Sequence, residues 1–207
     1  MSKSYYDILS ADPLLEKVFR NSAPHEFKIS DDIPMALYSS IMSQQLSVKV
    51  ADVILKRFMN IFNGVAPTPQ QVLNTSHEEL RAIGLSNAKA NYVKNVAQFA
   101  IDHGLQLDKL QAMSDEEIFE YVSTIKGVGK WTIHLLLMFS LGREDIFVAD
   151  DLGVQNAMAE LFDLDKTDRK KIKQQIITIA EKWSPYRSYL NIHLWQWLNN
   201  RPKATIE

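Results

Sequence analysis

The sequence predicts an all-α protein, and its length allows either one core or two helical subdomains with a cleft between them. No segment shows the sustained alternation of apolar and polar residues that marks a half-buried strand. Several segments instead repeat apolar residues every three or four positions, with capping residues or glycines at their ends. The 207 residues include only seven Gly and seven Pro, too few for a fold of many short strands and turns.

Capping residues divide the first half of the chain into predicted helices. Ser47 and the Ser76–Glu79 capping box each start a helix, and Gly64 and Gly104 each close one. The predicted helices are, in order, 12–21, 33–42, 48–62, a short region after Pro67, 77–83 and 87–102. The helix over 48–62 is predicted to bury one side, formed by Val50, Val53, Ile54, Phe58 and Ile61.

The second half continues in the same way. A Ser114–Glu117 capping box starts a helix that leads into a turn with two glycines. Further helices are predicted over 131–141, from 151 to about 162, from 167 or 168 to 183, and from 184 to about 202. For the last of these, Ser184 is the expected cap and Pro185 the first helical residue, a position that suits proline.

Composition places limits on function. The formal net charge is −2 and the pI is about 6.2, so bulk charge does not favour nucleic-acid binding. The absence of cysteine excludes disulfides, zinc-thiolate sites and iron–sulfur ligation, and it fits a reducing compartment. No signal-peptide run is found at the N-terminus, and the most apolar stretch, 131–141, is shorter than the about 20 residues of a membrane span.

The segment 125–132, Ile-Lys-Gly-Val-Gly-Lys-Trp-Thr, is the main candidate binding motif. Gly127 and Gly129 predict a tight turn between two helices, a helix-hairpin-helix, whose backbone N–H groups point outward together. Such groups at a helix start bind anions, and Lys130 and the Thr132 hydroxyl would strengthen the site. The spacing excludes a P-loop, and the missing third glycine excludes a dinucleotide fingerprint. A purely structural turn stays open as the alternative.

The Asp150–Asp151 pair follows at a short distance and precedes a predicted helix. One aspartate suffices as a helix cap, so a second is available to stabilise a developing cation or to position water. Capping alone would explain any single aspartate here. A metal site is disfavoured because the five histidines show no ligand spacing such as His-Glu-x-x-His.

The polar break Ser43-Gln44-Gln45-Leu46-Ser47 separates two predicted helices. A solvated turn explains such a segment, because loops are generally exposed and polar. The functional alternative is a probe presented at a cleft, and the residues alone leave both explanations open.

Taken together, five segments in this order resemble the 3-methyladenine DNA glycosylase II group of the helix-hairpin-helix-Gly/Pro-Asp superfamily, whose members excise alkylated bases. The segments are Ser43–Val48, Gly84–Ala90, Ile125–Thr132, Asp145–Gly153 and Trp183–Tyr189. The resemblance covers roughly residues 30 to 198. It implies a single glycosylase domain over 1–207, with one subdomain at about 33–142, a second from 1–32 plus 143–207, and no N-terminal β-domain.

The resemblance also implies roles for individual residues. Asp151 matches the catalytic carboxylate and Asp150 its helix-capping neighbour. Matches to DNA-contacting positions are Gly127 and Gly129 for the hairpin amides, and Gln45, or else Gln44 or Leu46, for the residue wedged into the duplex where the base leaves.

Further matches concern the base pocket and a cation. Trp131 and Trp195 match aromatic walls of the pocket, and Leu135 stands where some relatives carry an aromatic pocket residue. Core packing is the other explanation for both tryptophans, since aromatic residues at helical spacing usually pack. The positions matched to a bound Na⁺ or K⁺ are the backbone carbonyls of Ser123, Ile125 and Val128, and no cofactor is expected to be required.

Trp131 bears on the mechanism. Bifunctional relatives carry at this position a lysine that attacks the sugar as a Schiff-base nucleophile, which an indole is unable to do. Lys130 is offset by one residue, about 100° around a helix. The resemblance therefore implies a monofunctional DNA glycosylase that hydrolyses the N-glycosidic bond and leaves an intact abasic site.

The expected partner is double-stranded DNA that carries alkylated bases of the 3-methyladenine or 7-methylguanine type, bound by a monomer. The expected location is the cytoplasm or nucleoid of a bacterium or archaeon, or the nucleus of a eukaryote, with no membrane contact. Two other classes stay open: a non-catalytic binder of damaged or bent DNA, and a helical protein-interaction module with no DNA role.

Overall fold

A computed structural model describes residues 4–200, and every regular element in that range is helical. The all-α prediction is therefore confirmed. The α-helices of this range are α1 Tyr5–Ser10, α2 Glu16–Phe19, α3 Ile33–Ser43, α4 Val48–Ile61, α5 Pro69–Asn74, α6 His77–Ala82, α7 Asn87–Asp102, α8 Leu107–Gln111, α9 Asp115–Ser123, α10 Lys130–Leu135, α11 Leu152–Leu161, α12 Arg169–Ala180 and α13 Arg187–Asn199. Within the same range, no helix has the length and apolar character needed to cross a membrane.

Short non-α segments complete the helices. The 3₁₀ segments Pro13–Leu15 and Glu181–Trp183 lie before α2 and after α12, and a π-helical turn, Leu136–Ser140, extends α10. The sequence did not predict α1 or α8, which have six and five residues. Elements this short carry too few apolar positions to show a helical period.

The start of the last helix differs from the prediction. α13 begins at Arg187, and the Ser184–Pro185 peptide bond, which is cis, lies in the turn before it. Ser184 is therefore not a helix cap, and its hydroxyl donates a hydrogen bond to Asp145 instead. The predicted helix end near Pro202 lies outside the described residues.

The chain divides into two compact units. One unit is the segment Lys28–Gly142, which contains α3 to α10. The other joins the residues up to Phe27 to those from Arg143 onward, and it contains α1, α2 and α11 to α13.

In the Lys28–Gly142 unit, α7 packs against α3, α5 and α6. Apolar residues at helical spacing predict a buried stripe formed by Ala90, Val93, Val96, Ala97, Ala100 and Ile101. The first four are buried, but Ala100 is only half-buried and Ile101 is 46% exposed. Burying one aliphatic side chain of valine size stabilises a protein by about 1.5–3 kcal/mol, so this stripe fixes how α7 rotates about its axis. The half-buried positions beside the stripe are then directed at other parts of the unit.

One predicted buried side is partly wrong. In α4, Ile54 and Phe58 are buried, but Val50 and Val53 are 45% and 42% exposed. Helical spacing identifies an apolar stripe, whereas the width that becomes covered depends on the neighbouring helix, here α3. The prediction that Val50 and Val53 lie on the buried side fails for this reason.

In the other unit, α11 and α13 pack against each other, with α12 against α11 and α2 against α13. Side chains from all of these elements meet in one core, including the fully buried Leu15, Met158, Ile176 and Leu194. This packing holds the start of α11 against the side of α13.

His193 is a polar residue inside this core. Ser22 Oγ lies 2.6 Å from its Nδ1, and the rings of Tyr6 and Phe19 pack against the imidazole. Burial lowers the pKa of His193 from 6.5 to about 4, and the nearby His25 lowers it further as a smaller cause. At pH values between about 4 and 6.5, the folded protein therefore keeps this imidazole neutral, whereas an unfolded chain would protonate it.

The low pKa of His193 predicts a pH dependence of stability. Because the folded pKa lies below the unfolded one, the stabilisation is complete above the unfolded pKa and declines as the pH falls through it toward about 4. Between about pH 7 and about pH 4.5, the free energy of unfolding should lose on the order of 2–3 kcal/mol from this group. In His193→Gln, urea titrations should show a smaller loss between the two pH values. His103→Gln, at an exposed position after α7, should keep the wild-type loss, and equal losses in all three proteins would contradict the assignment.

Candidate functional site

The predicted helix-hairpin-helix is confirmed: α9 and α10 are joined by the turn 124–129. Gly129 is the N-cap of α10, so the first N–H groups of α10 lie at the turn without partners inside the helix. Lys126 and Lys130 are exposed on either side of the two glycines. The turn thus offers backbone donors and two cations to an anion such as a phosphate.

The two glycines of the turn serve different purposes. Gly127 has φ +108°, and a Cβ added there would overlap the Cβ, Cγ and Cδ1 atoms of Tyr92. Gly129 has φ −97°, and a Cβ added there would meet nothing within 4 Å. Gly127 is therefore required by the fold, whereas Gly129 leaves an open surface where a ligand is able to approach the backbone.

Thr132 does not face a phosphate. Its side chain is 1% exposed, and its hydroxyl accepts a hydrogen bond of 3.1 Å from Gln44 Nε2. The same amide group lies 3.4 Å from the carbonyl oxygen of Gly127. The prediction of a DNA contact through the Thr132 hydroxyl is wrong, because its position one turn into α10 points it into the unit.

The loop after α3 presents its next residues outward. Gln44 is half-buried by its contacts with the hairpin, whereas Gln45 and Leu46 are exposed. Gln45 has φ +58°, in the left-handed region that a residue with a Cβ seldom adopts. Strain of this kind often occurs at functional sites. Gln45 therefore fits the predicted wedge better than Gln44, and the wedge role stays a prediction.

A cavity of about 280 Å³ lies within the Lys28–Gly142 unit, beside α3 and α10. Leu135, predicted as a pocket residue, lines it together with Phe139 and the serines 39, 40 and 43. Trp131, the second residue of α10, is half-buried and is not among the described residues that line this cavity. Its predicted role as a pocket wall stays a prediction.

Asp151 is the N-cap of α11. Its Oδ1 accepts a hydrogen bond of 2.9 Å from the backbone N–H of Val154, and the residue is half-buried. The implied division of labour, with Asp150 as the cap, is therefore wrong. Asp150 is exposed and forms an ion pair with Lys173 of α12.

Trp195 contacts Asp151 directly. Its indole Nε1 donates a hydrogen bond of 2.8 Å to Asp151 Oδ1, the atom that also accepts from Val154. A Cβ added at Gly153 would lie 2.9 Å from Asp151 Oδ1 and 3.2 Å from Trp195 Cδ1. The small residue thus lets the indole edge reach the carboxylate. The sequence predicted Trp195 as a wall but did not predict this hydrogen bond.

The loop that carries Asp151 is attached to α13 at several points. The Ser188 hydroxyl accepts from the N–H of Ile146 at 2.9 Å, and Asn191 accepts from the N–H of Val148 at 3.2 Å. The Asn191 amide also donates to the Ile146 carbonyl at 2.7 Å. Ser188 and Asn191 are fully buried. Sequence reasoning missed both, although polar residues inside an apolar helical stripe were the available signal.

An ion pair anchors the start of the same loop. Arg187 donates to both carboxylate oxygens of Asp145, at 2.7 and 2.9 Å, and Ser184 donates to Asp145 at 2.7 Å. Burial of Asp145 works against its charged form, but these hydrogen bonds and the Arg187 charge outweigh it and hold the pKa below its usual value. The residues 187, 191 and 195 are spaced by four, so one face of α13 holds the loop along its length.

The described residues contain no group of three or more His, Asp or Glu placed to hold a metal ion. The backbone carbonyls of the hairpin are a different kind of candidate site, because a monovalent cation would need only oxygen ligands. The Ile125 carbonyl accepts a hydrogen bond of 3.0 Å from the N–H of Val128 and has a second lone pair for a cation. A Na⁺ or K⁺ ion at the carbonyls of Ser123, Ile125 and Val128 stays a prediction.

The two glycines of the hairpin predict opposite outcomes for the same substitution. Gly127→Ala should lower the free energy of unfolding by about 2 kcal/mol or more, because it adds left-handed strain and overlaps Tyr92. Gly129→Ala should leave stability nearly unchanged but weaken binding of abasic-site duplex by about tenfold, because its methyl group blocks approach to the amides. Urea titration and fluorescence anisotropy measure the two effects. Equal binding by Gly129→Ala and wild type would show that the amides do not hold DNA.

Comparison with known proteins places this geometry in a family. A model described as HhH-GPD superfamily base excision DNA repair protein matches residues 38–183. The Schizosaccharomyces pombe protein named DNA-3-methyladenine glycosylase 1 is 35% identical over 185 residues, which are 88% of this chain and 79% of that protein. A Bacillus subtilis relative is 30% identical over 188 residues, and the match spans 88% of this chain but only 64% of that protein.

A solved structure gives the same result. The Schizosaccharomyces pombe 3-methyladenine DNA glycosylase, solved in complex with abasic DNA, is similar to this chain with a TM-score of 0.85 and 30% identity. The similarity covers 94% of this chain and 96% of that chain. Since the family model also matches well over half of its length, the chain belongs to the HhH-GPD superfamily of base excision DNA repair proteins.

Proposed function

We propose that this chain is a monofunctional DNA glycosylase that removes alkylated purines from double-stranded DNA in base excision repair. The observation that carries the proposal is the placement of Asp151. A half-buried carboxylate lies at the N-terminus of α11, and the N–H groups of Val154 and Trp195 fix one of its oxygens. The relatives named DNA-3-methyladenine glycosylases support the same reaction class.

The chemistry follows from the charge of the substrate. An alkylated purine of the 3-methyladenine type is cationic and leaves readily, so a strong general acid is not required. Breaking the N-glycosidic bond builds positive charge on the deoxyribose, and the Asp151 carboxylate stabilises that charge. The carboxylate also orients the water that attacks the sugar carbon, and this leaves an abasic site. Fixed hydrogen bonds to Oδ1 keep the carboxylate in one orientation without reorganisation.

Recognition of the base rests on aromatic faces. The target nucleotide is flipped out of the duplex, as enzymes acting on bases in duplex DNA require. Trp131 and Trp195 face the base, and cation–π attraction to an alkylated purine contributes about 0.5–2 kcal/mol. Leu135 and the neighbouring cavity beside α3 contribute apolar surface, and this combination favours a cationic purine over a neutral one.

The residue at position 131 sets the class of glycosylase. Trp131 has no amine to form a Schiff base, so the enzyme hydrolyses the bond without cutting the strand.

The enzyme acts as a monomer on duplex DNA, in the cytoplasm or nucleoid of a prokaryote or the nucleus of a eukaryote. A Na⁺ or K⁺ ion at the hairpin carbonyls would add positive charge near the phosphates.

Asp151→Asn tests the proposal. An asparagine keeps an oxygen that accepts from Val154 and Trp195, so the fold and the helix cap should persist. Excision of 3-methyladenine from duplex DNA should fall by at least about 10²-fold, while binding to abasic-site duplex stays within about threefold of wild type. Asp150→Asn, which loses only the exposed ion pair with Lys173, should remain active.

Three outcomes would contradict the proposal. Full excision by Asp151→Asn would remove the carboxylate from the mechanism. Wild type that binds abasic duplex but releases no base would be a binder of damaged DNA. A protein–DNA adduct trapped by borohydride would mean a Schiff-base mechanism and refute monofunctional hydrolysis.

Trp195→Phe separates the indole N–H from the aromatic face. The phenyl ring keeps a stacking surface but loses the donor to Asp151 Oδ1. The single-turnover rate constant should fall by about ten- to a hundredfold, which is the range for one hydrogen bond to a charged group. The DNA concentration that gives half-saturation should stay nearly unchanged. A change confined to half-saturation would show that Trp195 only binds the base.

A further inference from the structure

One polar face of α7 reaches two separate segments of the Lys28–Gly142 unit. Its residues Lys89, Tyr92 and Asn95 follow one another at intervals of three and are half-buried beside the buried stripe of this helix. Lys89 contacts the loop after α3, while Tyr92 and Asn95 contact the glycine hairpin. These are the loop and the hairpin assigned above to the duplex wedge and the phosphates.

Lys89 holds the loop. Its Nζ donates to the carbonyl oxygens of Met42 at 3.0 Å and Gln44 at 2.6 Å. Both carbonyls lie at the C-terminal end of α3, where helical partners are lacking and a cation is favoured. The ammonium group is half-buried, and this burial lowers its pKa. An amine engaged in this way is a poor candidate for a primary phosphate contact.

Tyr92 and Asn95 hold the hairpin. The Asn95 side chain donates to the carbonyl oxygen of Lys126 at 3.0 Å. The Tyr92 ring fills the space in which a side chain at position 127 would otherwise lie. The turn is thus seated on α7 by one hydrogen bond and one close packing contact.

The loop and the hairpin also contact each other. Gln44 Nε2 donates to Thr132 Oγ1 at 3.1 Å and lies 3.4 Å from the Gly127 carbonyl. Loop, hairpin and α7 thus form a closed set of contacts. Gln45, the next residue, is exposed with φ +58° directly after this anchored position.

We propose that Lys89 is a positioning residue that sets the wedge loop 43–47 at a fixed distance from the phosphate-binding hairpin, with Gln44 as the link between them. This inference rests on the proposed function. Flipping a nucleotide costs a few kcal/mol of lost stacking and pairing. A wedge offsets that cost only if it enters the duplex while the hairpin holds the phosphate backbone. A loop free to move relative to the hairpin would lose this fixed placement of the wedge, although the hairpin would still bind phosphate.

The test compares Lys89→Met with Lys94→Met. Lys94 is the matched control, since it also lies on α7 and donates to a carbonyl, that of Leu73 at 3.2 Å, far along the chain from both DNA-binding segments. The substrates are two duplexes with one 3-methyladenine, opposite thymine in the first and opposite an abasic site in the second. The second duplex has little pairing to break, so excision there depends less on the wedge.

Lys89→Met should reduce the excision rate on the thymine-paired duplex by at least about tenfold and on the unpaired duplex by less than about threefold. Lys94→Met should match wild type on both. Binding to abasic duplex should be retained by Lys89→Met, with an unchanged salt dependence, because no phosphate contact is lost. A shallower salt dependence would instead make Lys89 a phosphate contact and overturn the proposal.

A second variant keeps the test decisive if Lys89→Met folds poorly. Gln44→Leu leaves Lys89 in place but removes the link to the hairpin, and it should give the same selective loss on the paired duplex. Adding Lys89→Met to Gln45→Ala should cause little further loss on that duplex, since both act through one loop.

Equal losses on both duplexes, or additive losses, would make Lys89 merely structural. Wild type inactive on both duplexes would refute the proposed function itself, whereas active wild type with unaffected variants would refute only this inference.

Discussion

A loop that carries a functional residue has backbone N–H and C=O groups without partners in regular structure, and in this protein two helices supply those partners. In one unit, α13 provides buried Ser188 and Asn191 to the loop before Asp151. In the other, α7 provides Lys89 and Asn95 to the wedge loop and the hairpin. A buried unpaired backbone group costs about 1–3 kcal/mol, so each of these side chains both stabilises its loop and restricts it to one conformation.

Asp151 combines a helix cap with a second hydrogen bond at one carboxylate oxygen. Its Oδ1 closes the N-terminus of α11, and the same atom accepts from the Trp195 indole. The cap therefore orients the carboxylate to which the proposed reaction is assigned. The resemblance implies that Asp150 is the cap and Asp151 the catalytic carboxylate, but in the structure Asp151 is itself the cap. Asp150 is left to pair with Lys173 on the surface of the unit.

Local signals in the sequence predicted the parts that depend on local physics. The capping boxes, the bounds of α7 and the glycine hairpin follow from residues within a few positions of each other. The failures depend on contacts between distant segments. Val50 and Val53 are exposed because α3 covers only part of α4, and the Thr132 hydroxyl is buried where Gln44 donates to it. No local pattern shows that Trp195 reaches Asp151, since the two are 44 positions apart.

The net charge of −2 does not favour DNA binding, whereas the hairpin offers a local anion site that does not depend on bulk charge. Bulk charge attracts DNA at long range, whereas backbone N–H groups at a helix start act only within hydrogen-bonding distance. Gly129 leaves those groups open, Gly127 permits the turn, and Lys126 and Lys130 add charge only where the phosphates would lie. Such a site needs an accurate turn more than it needs many lysines. The contacts from Tyr92 and Asn95 fix this turn and, with it, the placement of the amides.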